Sequence, residues 1–111
     1  MYKIFIYLFL IISIDTIFAK ERIIAKIPEA SGISYSYKSN TLFVVNDEGF
    51  IYELSLEGKI LRKEMLGNYD LEGITVDDKN NLLLIAIEGE DDVLILFKKD
   101  FKKKHKISVK R

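Results

Sequence analysis

The chain has 111 residues, enough for one small domain, and its 17 basic and 17 acidic residues cancel to a formal net charge of zero. This balance gives no overall attraction to nucleic acid or to an acidic substrate. The sequence contains no cysteine, which excludes disulfides, thiolate catalysis and cysteine-ligated metals.

The N-terminal residues 1–19 predict a secretory signal peptide. Lys3 precedes an apolar run over residues 4–14, and a short, more polar stretch follows that run. The run is short for a membrane span, which needs about 20 apolar residues, and Asp15 stands at its end. We therefore expect an exported protein, periplasmic or associated with the cell envelope. The alternative is an uncleaved anchor in the inner membrane, formed by residues 4–19.

A lead-in segment and eight strand-like runs follow. In the lead-in, residues 20–28, alternation around Ile24 and Ile27 indicates a short strand that ends at Pro28, because proline cannot donate to a β-ladder. Turn clusters separate the later runs, and no segment among them has helical periodicity. The predicted strands are 32–37, 41–45, 50–56 and 60–66, followed by 73–76, 82–87, 93–97 and 102–109.

The two groups of four strands are copies of one repeat. Residues 70–75 repeat residues 29–34, so the period is 41 residues (70 − 29). A fixed period of this size is typical of solenoids, propellers and repeat arrays. The same offset aligns Lys38 with Lys79, Asn40 with Asn81, Leu42 with Leu83 and Val44 with Ile85.

The gradation of polarity within each repeat favours one architecture. The second strand of each copy is the most apolar and the fourth is the most charged. This is typical of a four-stranded β-propeller blade, whose inner strands pack between neighbouring blades while the outermost strand faces water. A generic antiparallel sandwich or meander is the alternative. We predict an all-β chain with two four-stranded antiparallel blades, a partial propeller, at residues 29–69 and 70–111.

Two blades alone do not close a propeller, which typically has ~4–8 of them. Repeat units usually need about three or more neighbours to bury their apolar faces. The outer faces of a two-blade unit would leave leucine, valine and isoleucine side chains exposed. The expectation is therefore a truncated reading frame, a marginally stable domain, or self-association through the exposed blade faces.

Several segments resemble, in order, the opening blades of the SdiA-regulated domain family. They are SGIS (31–34), NTLFVVNDE (40–48), IYEL (51–54), LEGKI (56–60) and DLEGI (70–74). The resemblance implies an exported six-bladed propeller, held at or near the bacterial envelope and related in shape to NHL-type and phytase-like propellers. This chain departs from the family by stopping after two blades. Since the activity of the family is not established, the resemblance implies fold and location rather than a reaction.

Acidic residues cluster where predicted strands begin or end. Because blades repeat in space, equivalent turns should emerge on one side of the blades and gather near the mouth of a central channel. Carboxylates there, together with Asn46 and backbone carbonyls, are hard oxygen ligands suited to Ca²⁺ or Mg²⁺. The alternative is ordinary turn chemistry, which favours aspartate and asparagine in loops. The candidate metal ligands are Asp47, Glu48, Asp70, Glu72 and Glu88.

No catalytic motif stands out. The sequence lacks a Gly-x-Ser-x-Gly elbow, and its single histidine, His105, lies among lysines where we expect a surface residue. We predict no catalytic residue and no firm cofactor. The leading functional hypothesis is a non-enzymatic binding or scaffold module, and the alternative is a divalent-metal-binding, hydrolase-like propeller of the phytase or esterase type.

The final predicted strand is strongly basic. Contact with anionic headgroups of a membrane surface is one hypothesis for it. The alternative is a solvated outer strand whose lysines discourage edge-to-edge aggregation. Nucleic acid is not an expected partner, since no aromatic platform is interleaved with the charges. The lysines concerned are Lys98, Lys99, Lys102, Lys103, Lys104 and Lys106.

Overall fold

The computed structural model describes residues 23–109, which form eight strands in two separate four-stranded antiparallel sheets. The predicted all-β architecture is confirmed. The predicted signal peptide or anchor lies outside the described residues, and within them no helix is long and apolar enough to cross a membrane. The first sheet contains β1 (Ala30–Ser36), β2 (Thr41–Asn46), β3 (Phe50–Leu54) and β4 (Ile60–Met65). The second contains β5 (Leu71–Asp77), β6 (Leu82–Ile87), β7 (Asp92–Phe97) and β8 (Lys103–Ser108).

Each sheet, or blade, is a meander in which every strand pairs with its neighbour in sequence. In each blade one β-turn joins the first strand to the second, and the two turns share one backbone conformation. Asn40 and Asn81 occupy equivalent positions there with φ values of 54° and 58°, a left-handed conformation that asparagine tolerates. The repeat seen in the sequence is thus a repeat of backbone conformation.

The predicted strand bounds agree with the observed ones to within one residue, except at three strands. β1 and β5 each begin two residues earlier than predicted, and both have a register shift just before Gly32 or Gly73. β3 ends at Leu54 because the Ser55 N–H donates to Lys59 O (2.9 Å) and starts the turn. The predicted lead-in strand is wrong for residues 23–28, which lie outside both sheets.

Packing between the blades forms the main hydrophobic core. We call the face of each blade that points toward the next blade its trailing face, and the opposite face its leading face. On the trailing face of the first blade, Phe43, Val45 and Ile51 are fully buried. They pack against the leading face of the second blade, which contributes Leu71, Leu83, Ile85, Ile87, Leu94, Leu96 and Phe101.

The closest approach between the blades is at their first strands, β1 and β5. A Cβ built on Gly32 would lie 2.8 Å from Gly73 Cα, so glycine is needed there for the two backbones to touch. The Ser31 hydroxyl donates to Leu71 O, and the Val76 N–H donates to Ser34 Oγ (3.1 Å). The two first strands are therefore held side by side without forming a continuous sheet.

The lead-in covers part of the leading face of the first blade. Ala25 and Ile27 pack against a smaller core formed by Val44, Tyr52 and Leu54. This packing explains why the segment adds no strand, since its apolar side chains lie against the face of the sheet rather than along its edge.

Candidate functional site

The predicted acidic residues lie at equivalent ends of the two blades. The Asp47 N–H donates to Glu29 O (3.0 Å), and in the second blade the Glu88 N–H donates to Asp70 O (2.8 Å). The same backbone hydrogen bond therefore closes the end of the second strand onto the start of the first strand in both blades. This shared geometry brings the acidic turns of the two blades to one end of the unit.

Three of the predicted carboxylates act on a fourth. The pKa of Glu88 is raised, first by a hydrogen bond with Asp70, then by the negative charges of Asp70, Glu72 and Asp47. Within residues 23–109, no group of three or more metal-ligating side chains is arranged to hold an ion. A Ca²⁺ or Mg²⁺ site at this acidic end stays a prediction.

Asn46, expected as a supporting ligand, has a structural role instead. Its side chain is almost fully buried, and Nδ2 donates to Pro28 O (3.1 Å). Its Oδ1 accepts from the Glu48 N–H (3.2 Å) and the Phe50 N–H (2.8 Å). The amide shapes the β2–β3 turn that carries Asp47.

A buried ion pair at the other end of β1 and β5 was not predicted. Lys98 Nζ lies 2.9 Å from Asp78 Oδ1 and donates to Ser36 Oγ at 2.7 Å. The Ser36 hydroxyl and the Tyr37 N–H also donate to Asp78, at 2.7 and 2.9 Å. Because Ser36 and Tyr37 belong to the first blade, whereas Asp78 and Lys98 belong to the second, this polar cluster joins the blades.

The cluster corrects one part of the predicted basic surface. The Lys98 side chain is only 11% exposed and its ammonium group is committed to Asp78, so Lys98 is not available to an external membrane or partner. Lys106 lies 3.4 Å from Asp92 and 3.6 Å from Glu90, which offsets its charge locally. The other lysines of the predicted surface are exposed, namely Lys99, Lys102, Lys103 and Lys104.

The pKa of Asp78 gives a prediction about acid stability. Burial alone would raise this pKa, but hydrogen bonds from Ser36 and Lys98, the Lys98 charge and the Tyr37 N–H lower it from 3.8 to about 2. A carboxyl with a lowered folded-state pKa stabilises the fold above its unfolded pKa, and this contribution is lost as the pH falls through the folded value. We expect the difference in unfolding free energy between the unmodified protein and Asp78→Asn to be constant above about pH 4.5 and to narrow toward pH 2.

Urea unfolding measured at several pH values would check this expectation. Asp77→Asn is the matched control. Hydrogen bonds from Asn80 in the same turn lower the pKa of Asp77 as well, so this variant reports what a turn aspartate contributes without a contact to the other blade. We expect the difference to narrow more for Asp78→Asn than for Asp77→Asn. A difference for Asp78→Asn that stays constant down to pH 2 would contradict the assignment of a lowered pKa to Asp78.

A second inter-blade contact is centred on Arg62, which the sequence places in a charged outer strand. Its Nε donates to Glu53 Oε1 (2.6 Å), and its two terminal nitrogens donate to the carbonyls of Lys98 (2.9 Å) and Lys99 (3.0 Å). The guanidinium carbon also lies 3.8 Å from the ring centroid of Phe101. Arg62 therefore ties the outer part of the first blade to the β7–β8 hairpin of the second.

The cleft beside Arg62 has a volume of about 470 Å³ and is lined by side chains from both blades. The carboxylate that lines the cleft, Glu53, is already paired. Thr41 Oγ1 donates to its Oε2 (2.7 Å), and Arg62 binds its Oε1. Among the described residues, no buried side-chain nitrogen or oxygen lacks a hydrogen-bond partner. In this cleft, Glu53 therefore has a structural role, since it holds Thr41 and Arg62 in place.

The sequence did not reveal the paired roles of Asp78, Lys98 and Glu53, because residues of the same type stand beside or near each of them. Asp77 and Lys99 are direct neighbours with the same chemistry and are not buried. One weak sign was available, since Asp78 aligns in the 41-residue repeat with Tyr37 rather than with another turn-forming residue.

Comparisons with known proteins agree with this architecture. A family model described as SdiA-regulated matches residues 16–109. No curated protein matches the chain significantly. Similar solved structures include AztD from Citrobacter koseri, in its apo form with a TM-score of 0.64 and 18% identity, covering 78% of this chain and 25% of that one. A second AztD structure has a TM-score of 0.64 and 17% identity, with coverages of 78% and 26%.

The β-propeller domain of Cps50 (Swd1) from Myceliophteria thermophila is also similar, with a TM-score of 0.63 and 16% identity. The match covers 77% of this chain and 27% of that domain. The chain thus spans about a quarter of the length of the solved structures it matches. At these identities the likeness shows the fold, which is that of two adjacent β-propeller blades.

Proposed function

The chain belongs to the SdiA-regulated family, and from that premise we propose that its two propeller blades act as a non-enzymatic binding or scaffold module at the bacterial envelope. One observation carries the non-enzymatic part. The buried ionisable groups of the described residues pair within one blade and also hold the other blade. The Asp78–Lys98 pair of the second blade bonds to Ser36 of the first. Arg62 of the first blade, paired with Glu53, donates to the Lys98 carbonyl of the second. A catalytic acid or base needs a side chain that can reach a substrate, and these side chains are committed to one another.

Export to the envelope is supported by the N-terminal sequence, in which Lys3 precedes an apolar run and a short, more polar stretch that ends in Ala19 follows it. Cell fractionation tests this export. The full chain with a C-terminal tag is expressed in a bacterial host, fractionated by osmotic shock and identified by mass spectrometry. We expect the protein in the periplasmic or membrane fraction, either without residues 1–19 or with them retained as an anchor. Recovery of the 12.9 kDa full-length chain in the cytoplasm would contradict export.

A metal-binding, hydrolase-like propeller is the second candidate function, and the acidic end is the observation that favours it. The negative charges of Asp70, Glu72 and Asp47 help to raise the pKa of Glu88, and a bound cation would offset this repulsion. Calorimetric titration with Ca²⁺ and Mg²⁺ tests this candidate. If it holds, the unmodified protein binds at least one ion and Glu72→Gln weakens that binding.

Glu57→Gln is the matched control for the titration, since Glu57 is an exposed acid in the turn between β3 and β4. Equal binding by both variants would place the ion elsewhere. The absence of heat with either ion would leave the non-enzymatic module as the better proposal.

A further inference from the structure

Both outer faces of the blade pair carry apolar side chains that neither blade covers. On the leading face of the first blade, the β1 side chains of Ile33 and Tyr35 are 63% and 50% exposed. On the trailing face of the second blade, Thr75, Leu84 and Val93 border an open apolar groove. Cross-strand pairing places these residues on those faces, because Ile33 pairs with buried Val44 and Thr75 pairs with Leu84.

The groove on the second blade repeats a surface that is already occupied within the chain. By strand register, its residues correspond to those with which the first blade binds the second. The equivalent pairs are Gly73 with Gly32, Thr75 with Ser34, Leu84 with Phe43, Ala86 with Val45, and Val93 with Ile51. The occupant of the internal surface is the leading face of a blade, so the groove has the shape of a surface that receives a leading face.

We propose that the trailing face of the second blade binds the leading face of the first blade of another copy, head to tail. The internal interface supplies the geometry for this contact, in which β5 of one copy would lie beside β1 of the next. This inference concerns assembly and does not depend on the proposed binding role.

Specific side chains can repeat the internal contact. Within the chain, Ser34 Oγ accepts from the Val76 N–H (3.1 Å). In the repeat, Thr75 stands in the place of Ser34, and Tyr35 in the place of Val76. Between copies, therefore, the exposed Thr75 hydroxyl would accept from the Tyr35 N–H, and the Tyr35 ring would cover the groove.

The interface between copies would be more apolar than the internal one. Where the first blade has buried Thr41 and Glu53 on its trailing face, the second has Leu82 and Ile95. The external faces thus lack the equivalents of the Glu53–Arg62 contact and would associate mainly through the hydrophobic effect.

The lead-in segment limits the contact to the inner part of the leading face. Ala25 and Ile27 cover Val44, Tyr52 and Leu54, but they leave Ile33 and Tyr35 of β1 exposed. The first strand is also where the two blades of one chain approach most closely. The exposed β1 side chains are therefore the part of the leading face that matters most for docking.

A head-to-tail contact between identical copies joins two different surfaces, so it extends until rotation closes a ring.

Cysteine cross-linking of the full chain, in the envelope fraction of expressing cells, tests the proposal. The chain contains no cysteine, so introduced thiols report without background. The Tyr35→Cys/Thr75→Cys double variant, treated with a short bismaleimide, should give covalent dimers and a ladder of larger species that ends at the ring. Either single variant alone should stay at the 12.9 kDa position or that of the processed chain.

The Ser34→Cys/Val76→Cys variant is the matched control, since the same two positions meet inside one chain. It should form an internal cross-link without dimers, which shows that the variant folds and the reagent reaches the interface. Dimers from Thr75→Cys alone would mean that trailing faces pair with each other, which overturns the head-to-tail contact. No cross-link in the Tyr35→Cys/Thr75→Cys variant, with the control reacting, would overturn it as well.

Discussion

Replacement of Lys98 by methionine is expected to lower the free energy of unfolding by about 3–5 kcal/mol, because it leaves the buried Asp78 carboxylate without its cation. The Asp78 side chain is only 3% exposed, so water cannot replace the lost ammonium group. Since small domains have a total stability of about 5–15 kcal/mol, this loss would be a large fraction of the whole. Chemical denaturation followed by circular dichroism would measure it.

The neighbouring residue provides the control. Lys99→Met makes the same chemical change at an exposed side chain and should change the unfolding free energy by less than about 0.5 kcal/mol. The Asp78→Asn/Lys98→Met double variant should recover part of the loss, since it removes the unpaired buried charge. Equal stability of the two methionine variants would refute the stabilising role of the pair.

Replacement of Gly32 by alanine is expected to destabilise the protein by about 1–3 kcal/mol, the usual cost of forcing extra atoms into a packed contact. The added Cβ would lie 2.8 Å from Gly73 Cα and 3.1 Å from the Ile74 nitrogen. Both are backbone atoms, so relief requires β1 and β5 to move apart. Thermal unfolding and urea titration would give the change.

Gly73→Ala is the matched variant at the equivalent position of the repeat. Its added Cβ would meet only Ala86 Cβ, at an ordinary contact distance of 3.9 Å, and neither glycine has a positive φ. We expect no loss of stability, and a gain of up to about 1 kcal/mol from the lower entropy of the unfolded chain. A Gly73→Ala variant as unstable as Gly32→Ala would show that strand propensity, rather than the approach of the two blades, sets the cost.

The fold was predictable because its main determinants are local and repeated. The 41-residue period and the polarity gradient defined eight strands, since each strand pairs only with its sequence neighbour. The position of the lead-in was not predictable in this way. Its alternating isoleucines fit a strand, and only the uncovered Val44 and Tyr52 of the completed sheet make packing on the face favourable.

In the candidate site too, contacts that follow from the repeat were predictable and contacts between unrelated turns were not. The grouping of Asp70 and Glu88 followed from the repeat, because one backbone hydrogen bond recurs in both blades. The pairing of Asp78 with Lys98 could not be foreseen from spacing. The two residues come from different turns, and only the three-dimensional contact with Ser36 distinguishes them from Asp77 and Lys99.

The absence of a shared sheet between the two blades, within the described residues, has a consequence for local motion. Hydrogen-bond ladders run only inside each blade, so one blade can open without breaking the ladder of the other. We expect native-state amide exchange to be hierarchical, with β8, all of whose side chains are exposed, exchanging fastest. The amides of β2 and β6, which lie inside their blades and contribute to the common core, should exchange most slowly.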